Sequence, residues 1–336
     1  MITIVDIAKE SGYSVSTVSR VLNNRKDVSE TTKRKIMEIV KAHNFVPNNN
    51  AKHLKQGATK NIIMIVKGTS NMLFASIIEE IQTIIADTEY ALRVYYIDEE
   101  TNEVEEAVRL CKERKPLGVL FLGGNPQFFE AEFEQVTVPS VLVTNRGDML
   151  GFKNLASIAT DDEKAAEEAV NYLFRQGHRN IGIIGGDRHV SRTAKQRFNG
   201  CVRSFKKHGL EFDAENYLET GRFSFDSAYR AMSRLLEKNL PISAVFAMSD
   251  TMAVGAIRAI CDFGKRVPED ISVMGFDGIS LAEFYNPKIA TVRQGYKQLA
   301  ERSTKVLLDM IDLGEPASHE IIPFELVEGE SVKNMI

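Results

Sequence analysis

Apolar residues recur at helical spacing through the first 46 residues, and the run SVSTVSRVLN at residues 14–23 shows this pattern most clearly. On a helix Val15, Val18 and Val21 would share one face, which we expect to point inward. The opposite face carries only hydroxyls, one guanidinium and one amide: Ser16, Thr17, Ser19, Arg20 and Asn23. The pattern predicts a helix whose outer face offers hydrogen-bonding groups and no carboxylate.

Residues that favour helix ends divide this segment into three helices. Thr3 and Asp6 have the spacing of a reciprocal N-terminal cap, and Ser14 and Ser29 are expected to cap the second and third helices. Gly12 is expected to break the first helix. The spacing over residues 4–23 is therefore that of a helix-turn-helix.

From residue 61 onward, short apolar runs alternate with amphipathic stretches. Continuous apolar strands joined by helices predict parallel sheets that are covered by helices on both faces. There are more runs than one ordinary sheet needs, which favours two similar α/β lobes with a break near residues 159–162. The runs are NIIMIV, LRVYYID, GVLFLGG, SVLVTN, NIGIIGG, AVFAMS and ISVMGFDG.

Small or polar residues end these runs in both predicted lobes. Examples are Gly123, Asn145, Gly186, Ser249 and Asp277. Open α/β sheets bind ligands beyond the carboxyl ends of their strands. Two lobes that face each other across such ends would form a binding cleft.

The charge of the chain is unevenly distributed along its 336 residues. Lys and Arg total 42 against 46 Asp and Glu, a net charge of −4, yet the first 60 residues are clearly basic. This distribution indicates a polyanionic partner for the N-terminal segment alone. Hydroxyls, amides and an Arg fork can bond phosphate oxygens and base edges, whereas a carboxylate would repel the phosphates.

Other features of the sequence exclude several classes of protein. Three dispersed cysteines fit a reducing compartment, and their spacing indicates no metal site. The N-terminus lacks the pattern of a secretory signal, and no segment approaches the ~20 apolar residues of a membrane span. The sequence contains no Walker A, G-x-G-x-x-G, H-E-x-x-H or G-x-S-x-G motif, so we expect no catalytic residues, no metal and no cofactor.

The chain resembles the LacI/GalR family of transcription regulators. The resemblance is carried by IVDIAKESGYSVSTVSRVLNNRKDVSETTKRKI, by FVPNNNAKHL, and by HRNIGIIGG, RFNG, SDTMAVGAIRA and VPEDISVMGFDG in the remainder. It implies an all-α helix-turn-helix headpiece and an α/β body of two doubly wound lobes that resembles a periplasmic-binding-protein fold. It also implies a repressor whose operator affinity is controlled by a ligand in the cleft.

The resemblance assigns DNA contacts to the headpiece and to the segment that follows it. Residues 48–56 match a hinge that folds into a helix on the operator, and Leu54 matches a wedge that enters the minor groove. Taken alone, Leu54 would be an ordinary packing residue. Val15 and Ser16 match the first exposed turn of the recognition helix, although helical spacing alone directs Val15 inward. The implied DNA-binding residues are Thr3, Ser14, Val15, Ser16, Thr17, Ser19, Arg20, Asn23, Asn48 and Leu54.

The resemblance also assigns effector contacts in the cleft. One charged fork, one carboxylate and aromatic faces suit a polar ring, so a sugar or sugar derivative is favoured, with a nucleobase or a sugar phosphate as alternatives. Purine-binding relatives carry Arg where Ser191 stands, which lowers the purine alternative. Asp250 is expected to cap the helix it precedes. The implied residues are Phe74, Asn145, Ser191, Thr193, Arg197, Phe223, Ser249, Asp277 and Tyr296.

The expected assembly is a cytoplasmic, nucleoid-associated homodimer that binds a palindromic operator and no membrane. A transport-type sugar-binding protein and an α/β enzyme are the competing classes. Residues 1–58 and the missing export signal argue against the first, and the sequence shows no catalytic constellation for the second. The effector, the sign of its effect and the operator stay open. The predicted divisions are a headpiece at 1–46, a hinge at 47–60 and a body at 61–336, with an N-lobe of 61–159 plus 293–322 and a C-lobe of 160–292 plus 323–336.

Overall fold

The computed structural model describes residues 3–22, 28–43, 60–68 and 71–336. The chain divides into two compact units, residues 1–59 and residues 60–336. The predictions for Asn23, Asn48 and Leu54, and for a hinge helix at residues 48–56, lie outside the described residues.

The first unit contains the three predicted helices, α1 (Ile4–Ser11), α2 (Val15–Leu22) and α3 (Glu30–Ala42). Their caps are the predicted ones. The Thr3 hydroxyl accepts from the amide of Asp6, whose carboxylate accepts from the Thr3 amide. Ser14 Oγ accepts from the Thr17 amide at 3.2 Å and Ser29 Oγ from the Thr32 amide at 3.3 Å.

A small apolar core joins the three helices. Ile7, Val18 and Ile36 are fully buried in it, with Val21 close by. The expectation that Val15 points inward is wrong, because its side chain is 42% exposed. Val18 and Val21 already fill the face of α2 that meets α1 and α3, and Val15 lies one turn before them at the helix start.

The described residues of the second unit form two six-stranded sheets. The first has the strand order β11-β5-β4-β3-β1-β2 and is parallel throughout. The second has the order β12-β10-β9-β8-β6-β7, in which only β12 runs antiparallel to its neighbour. The strands are β1 (Asn61–Lys67), β2 (Ala91–Ile97), β3 (Gly118–Leu122), β4 (Ser140–Val143), β5 (Leu155–Thr160), β6 (Ile181–Gly185), β7 (Leu218–Thr220), β8 (Ala244–Ala247), β9 (Ser272–Asp277), β10 (Ala290–Gln294), β11 (His319–Ile322) and β12 (Phe324–Val327).

Helices cover both sheets, as the apolar strands require. They are α4 (Met72–Ala86), α5 (Glu103–Arg114), α6 (Pro126–Glu132), α7 (Asp162–Arg175), α8 (Arg192–Lys207), α9 (Ala214–Tyr217), α10 (Phe225–Glu237), α11 (Asp250–Asp262), α12 (Ser280–Phe284) and α13 (Tyr296–Asp312). Within the described ranges, no helix has both the length and the apolar character needed to cross a bilayer.

The two sheets form the cores of two lobes, and the chain passes between the lobes three times. It leaves the first sheet after β5, returns to it through α13, and enters the second sheet again at β12. The predicted fold class is confirmed. The seven predicted apolar runs are all strands, whereas β5, β7, β10, β11 and β12 were not predicted.

Candidate functional site

A cavity of about 910 Å³ lies between the two lobes, at the carboxyl ends of strands from both sheets. This volume falls near the upper end of the ~300–1,000 Å³ typical of small-molecule sites. The walls include seven of the nine residues predicted to bind an effector: Phe74, Asn145, Ser191, Thr193, Arg197, Phe223 and Asp277. The fold brings these residues together, and their binding roles stay predictions.

The other two predicted residues do not line the cavity. Ser249 is only 2% exposed, and its hydroxyl caps α11 by accepting from the Met252 amide at 3.1 Å. Tyr296 begins α13 and packs, half-buried, against the core of the first lobe. Both side chains are therefore engaged in holding helices in place.

Asp250 does not cap α11, which corrects the expectation from the sequence. Its carboxylate accepts from the Thr291 hydroxyl at 2.6 Å and from the Ile279 amide at 2.9 Å. It thereby ties α11 to β10 and to the loop that follows β9. Burial, with a contribution from nearby Asp277, raises the pKa of Asp250 to about 8.

Arg197 is the most tightly held charged residue of the cavity. Its side chain is 5% exposed, and its guanidinium lies 3.7 Å from the centre of the Phe276 ring. Nε donates to Asp162 at 2.7 Å, and Nη1 donates to the Met248 carbonyl while lying 3.6 Å from the Asp277 carboxylate. The stacked and bonded guanidinium fixes the orientation of its remaining donors at the cavity wall.

Asp277 is the buried carboxylate at the end of β9. It is 3% exposed and accepts from Gln294 Nε2 at 2.8 Å. Burial raises the pKa of Asp277 to about 6, although the charge of Arg197 opposes the shift. A buried carboxylate of this kind is a strong acceptor for ligand hydroxyls when it is charged.

Two phenyl rings at the cavity lie against glycines that follow strands. A Cβ at Gly123, whose φ is +80°, would come within 2.6 Å of Phe74, and a Cβ at Gly186 would come equally close to Phe223. Any side chain at these two glycines would displace the neighbouring ring, so glycine is required at both positions. The two lobes therefore each supply an aromatic wall.

The lobes touch directly at the cavity. The Thr193 hydroxyl donates to Asn145 Oδ1 at 2.9 Å, and Asn125 Nδ2 donates to the Val190 carbonyl at 3.0 Å. Ser191 caps α8, accepting from the Ala194 amide at 3.2 Å. These contacts join loops of the first sheet to the start of α8 in the second lobe.

An ionic contact also bridges the lobes at the cavity. Arg222 lies 2.8 Å from both Glu99 and Glu100 and 3.5 Å from Asp98. Sequence reasoning did not identify these residues, because Arg222 is more than 120 positions from its partners. We call residues 98–100 together with Arg222 the rim bridge.

Lys67 is a further cavity residue that sequence reasoning missed. It ends β1 and pairs with Glu103 at 2.6 Å, where both side chains are nearly inaccessible. Burial raises the pKa of Glu103 above its ordinary value, against the opposing effect of Lys67. The only sequence signal for Lys67 was its position at the end of an apolar run.

The predicted DNA-binding face of α2 is displayed on the first unit. Val15, Ser16 and Arg20 are exposed, while Thr17 and Ser19 are half-buried. Ser14 Oγ lies 2.8 Å from Ser16 Oγ and 2.9 Å from Thr17 Oγ1, so the hydroxyls form one cluster at the helix start. The helix carries no acidic residue in its first turn. Thr3 acts as the cap of α1, and a contact from any of these residues to DNA stays a prediction.

Of the residues that the structure describes, no three His, Cys, Asp or Glu side chains are grouped in a way that could hold a metal ion.

Known families match both units of the chain. The family described as "Bacterial regulatory proteins, lacI family" matches residues 3–48, and the "Periplasmic binding protein-like domain" matches residues 170–332. The HTH-type transcriptional regulator MalR of Clostridium butyricum is 38% identical over 335 residues, which cover 99% of each chain. The probable HTH-type transcriptional repressor ExuR of Bacillus subtilis (strain 168) is 32% identical over 342 residues, 100% of this chain and 99% of ExuR.

The fold is also that of a solved repressor. The structure of the Lac repressor dimer bound to operator and the anti-inducer ONPF matches with a TM-score of 0.77. The match covers 99% of both chains at 24% sequence identity.

Proposed function

Because the chain belongs to the LacI family of bacterial regulatory proteins, we propose that it is a repressor whose affinity for a palindromic operator is controlled by a small carbohydrate bound between its lobes. Its family consists of transcriptional regulators, so it is a DNA-binding regulator and not an enzyme. The observation that carries the proposal is the cavity itself, where seven residues that match effector contacts converge from distant parts of the chain.

Each segment of the chain has its own function in this proposal. Residues 1–46 form the DNA-binding headpiece, residues 47–60 connect it to the body, and residues 61–336 bind the effector and a second protomer. The headpiece reads DNA through α2. Hydrogen bonds to phosphates and base edges come from Ser16, Thr17, Ser19 and Arg20. The exposed side chain of Val15 makes an apolar contact with a thymine methyl group.

A sugar is the ligand class that the cavity chemistry favours. Asp277 accepts from ligand hydroxyls, and Arg197, Asn145 and Thr193 contribute further hydrogen bonds. Phe74 and Phe223 supply the apolar faces against which a pyranose ring can pack. A nucleobase between the two phenyl rings and a sugar phosphate are the alternatives, and Ser191 lacks the charge that would favour the nucleobase.

Regulation requires that the effector prefer one arrangement of the lobes. A ligand held by residues of both lobes stabilises their closed arrangement, and in a homodimer this changes how the two headpieces engage half-sites one helical turn apart. The protein works in the cytoplasm, on the DNA of the nucleoid.

Two binding experiments test this proposal. Full-length protein is used to select fragments of genomic DNA over a range of salt concentrations. We expect enrichment of one two-fold symmetric site, with affinity that falls as salt rises. Binding without sequence preference contradicts the proposal. For the ligand, a thermal-shift panel of sugars and nucleobases identifies the compound class that raises the melting temperature.

A further inference from the structure

A second pocket adjoins the effector cavity, and its walls are basic. Its volume is about 360 Å³, and it shares Asn125, Val190 and Arg192 with the larger cavity. Of the residues that the structure describes, Arg188, Arg192, Lys195 and His189 line it, and no carboxylate does. Residues 61–336 carry an excess of acidic over basic residues, so the grouping runs against the charge of the body.

The cations of this pocket have no carboxylate partners in the part of the chain that the structure describes. Among the described residues, neither Arg188, Arg192 nor Lys195 forms an ion pair with Asp or Glu. Arg192 Nε is buried and has no hydrogen-bond acceptor among the residues that the structure describes. A buried donor without an acceptor destabilises the folded protein, and repulsion among the grouped cations destabilises it further. A bound anion would remove both costs, because it accepts hydrogen bonds and neutralises positive charge.

The pocket is built to present these groups. The Arg188 guanidinium lies 4.5 Å from the centre of the Phe198 ring, a stacking contact that leaves its N–H groups available. The nearest acidic residue in sequence, Asp187, accepts from the His189 amide at 2.8 Å and faces the larger cavity. Amides of Gln127 and Asn199 complete the walls with further donors.

We propose that this basic pocket binds a phosphate group and that the bound phosphate stabilises the closed arrangement of the two lobes. A phosphate offers several acceptor oxygens to guanidinium, ammonium and amide donors at once. Asn125 and Gln127 belong to the first lobe and the cations to the second, so the ligand contacts both. By linkage, phosphate then raises the affinity of any effector that also favours closure.

The phosphate group has two sources, which titrations of the full-length protein distinguish. If the phosphate is free, inorganic phosphate at constant ionic strength binds and raises the melting temperature. If it is carried by the effector, glucose 6-phosphate binds more tightly than glucose. Absence of both effects overturns the proposal.

The decisive variant is the double substitution Arg188→Gln/Lys195→Gln, since neither residue lines the larger cavity. We expect phosphate or phosphate-ester affinity to fall by about tenfold or more, because charged hydrogen bonds are lost. The control is Lys206→Gln, at an exposed position of α8, the helix that carries Lys195. It removes one positive charge outside the pocket, so we expect phosphate affinity to be retained. Unchanged affinity in the double variant contradicts the assignment.

This proposal is separable from the sugar-binding proposal. Neutral sugars should bind the double variant as they bind the wild type, since the cavity is intact. If phosphate binds and no sugar or nucleobase does, the effector assignment fails and the phosphate site stands. The melting temperature without ligand should change little in the double variant, because relief of the repulsion between cations offsets the loss of the stacking contact between Arg188 and Phe198.

Discussion

Two residues at the cavity have left-handed backbone conformations that side chains disfavour. Thr144, which follows β4, has φ of 73°, and Asp277, which ends β9, has φ of 112°. Such conformations cost roughly 1–3 kcal/mol each and persist where the surroundings enforce them, often at ligand clamps. Their occurrence on opposite lobes of one cavity supports its role as the binding site.

The raised pKa of Asp277 predicts a specific dependence of stability on pH. The native carboxyl titrates at a pKa of about 6 and the unfolded one near 3.8, so protonation stabilises the native state. This stabilisation is complete below pH 3.8 and is lost as pH rises to about 6. In urea denaturation, the wild type should therefore lose roughly 2 kcal/mol relative to Asp277→Asn between pH 4 and 7.

Asp148 provides a control with the opposite sign. Arg146 lowers the pKa of Asp148 through a hydrogen-bonded ion pair. Its contribution to stability is present above the unfolded pKa and is lost as pH falls, so Asp148→Asn should lose its effect on stability in acid. For Asp277, the contradicting result would be a difference in the free energy of unfolding between wild type and Asp277→Asn that does not change with pH. It would show that the pKa of the native Asp277 carboxyl is not raised.

Arg20 is the residue on α2 with the most specific expected DNA contact. Arg20→Ala should lower operator affinity by about tenfold or more, because one good base or phosphate contact is worth ~1–3 kcal/mol. Fluorescence anisotropy with the selected site measures the change. Arg230→Ala, an exposed arginine of the body, removes the same charge and should have little effect. Unaltered binding in Arg20→Ala would contradict its role.

At the residue scale, the sequence predicted groups whose neighbours are local or whose motif is distinctive. Arg197 and Asp277 were predicted from motifs, and Ser14 and Ser29 from helix ends. Lys67 and Arg222 were missed because their partners lie 36 and more than 120 positions away. Val15 was wrongly directed inward because helical spacing gives a shared face and cannot say where the packed part of that face ends.

At the element scale, local signals decided which helices and strands could be predicted. Caps and glycine delimit α1–α3, and long apolar runs identify the central strands. The strands that were missed are either three- or four-residue elements such as β7, β11 and β12, or runs with small or polar side chains such as β5 and β10. Their pairing is fixed by neighbouring strands in the folded sheet, which a local pattern does not contain.

The rim bridge is an element-scale contact whose loss should weaken closure. Arg222→Gln removes the cation that links the loop after β2 to the loop after β7. Because exposed ion pairs contribute little, we expect effector affinity to fall only roughly two- to fivefold in calorimetry. The difference should vanish at high salt, where exposed pairs are screened.

Charge reversal provides the control for the rim bridge. Arg222→Glu should weaken effector binding further, since it faces three carboxylates, and adding Glu100→Arg should restore part of the loss. Equal effector affinity in wild type, Arg222→Gln and Arg222→Glu would show that the bridge does not contribute to closure.

At the scale of the whole molecule, function depends on coupling between two separate units. The pattern of apolar runs alone predicted two similar α/β lobes. The resemblance to a family added that these lobes form a body like that of periplasmic binding proteins. The long-range arrangement of the cavity required the structure, because its walls come from strand ends spread from β1 to β10.

The measurement that tests the central claim most directly is operator affinity with and without a saturating sugar. It uses full-length protein, the selected DNA site and the sugar that raises the melting temperature. A coupling of ~1–3 kcal/mol predicts a change of about 5–150-fold, which Arg197→Ala should abolish while still binding the operator. Identical operator affinity in the wild type at zero and saturating sugar would contradict the account.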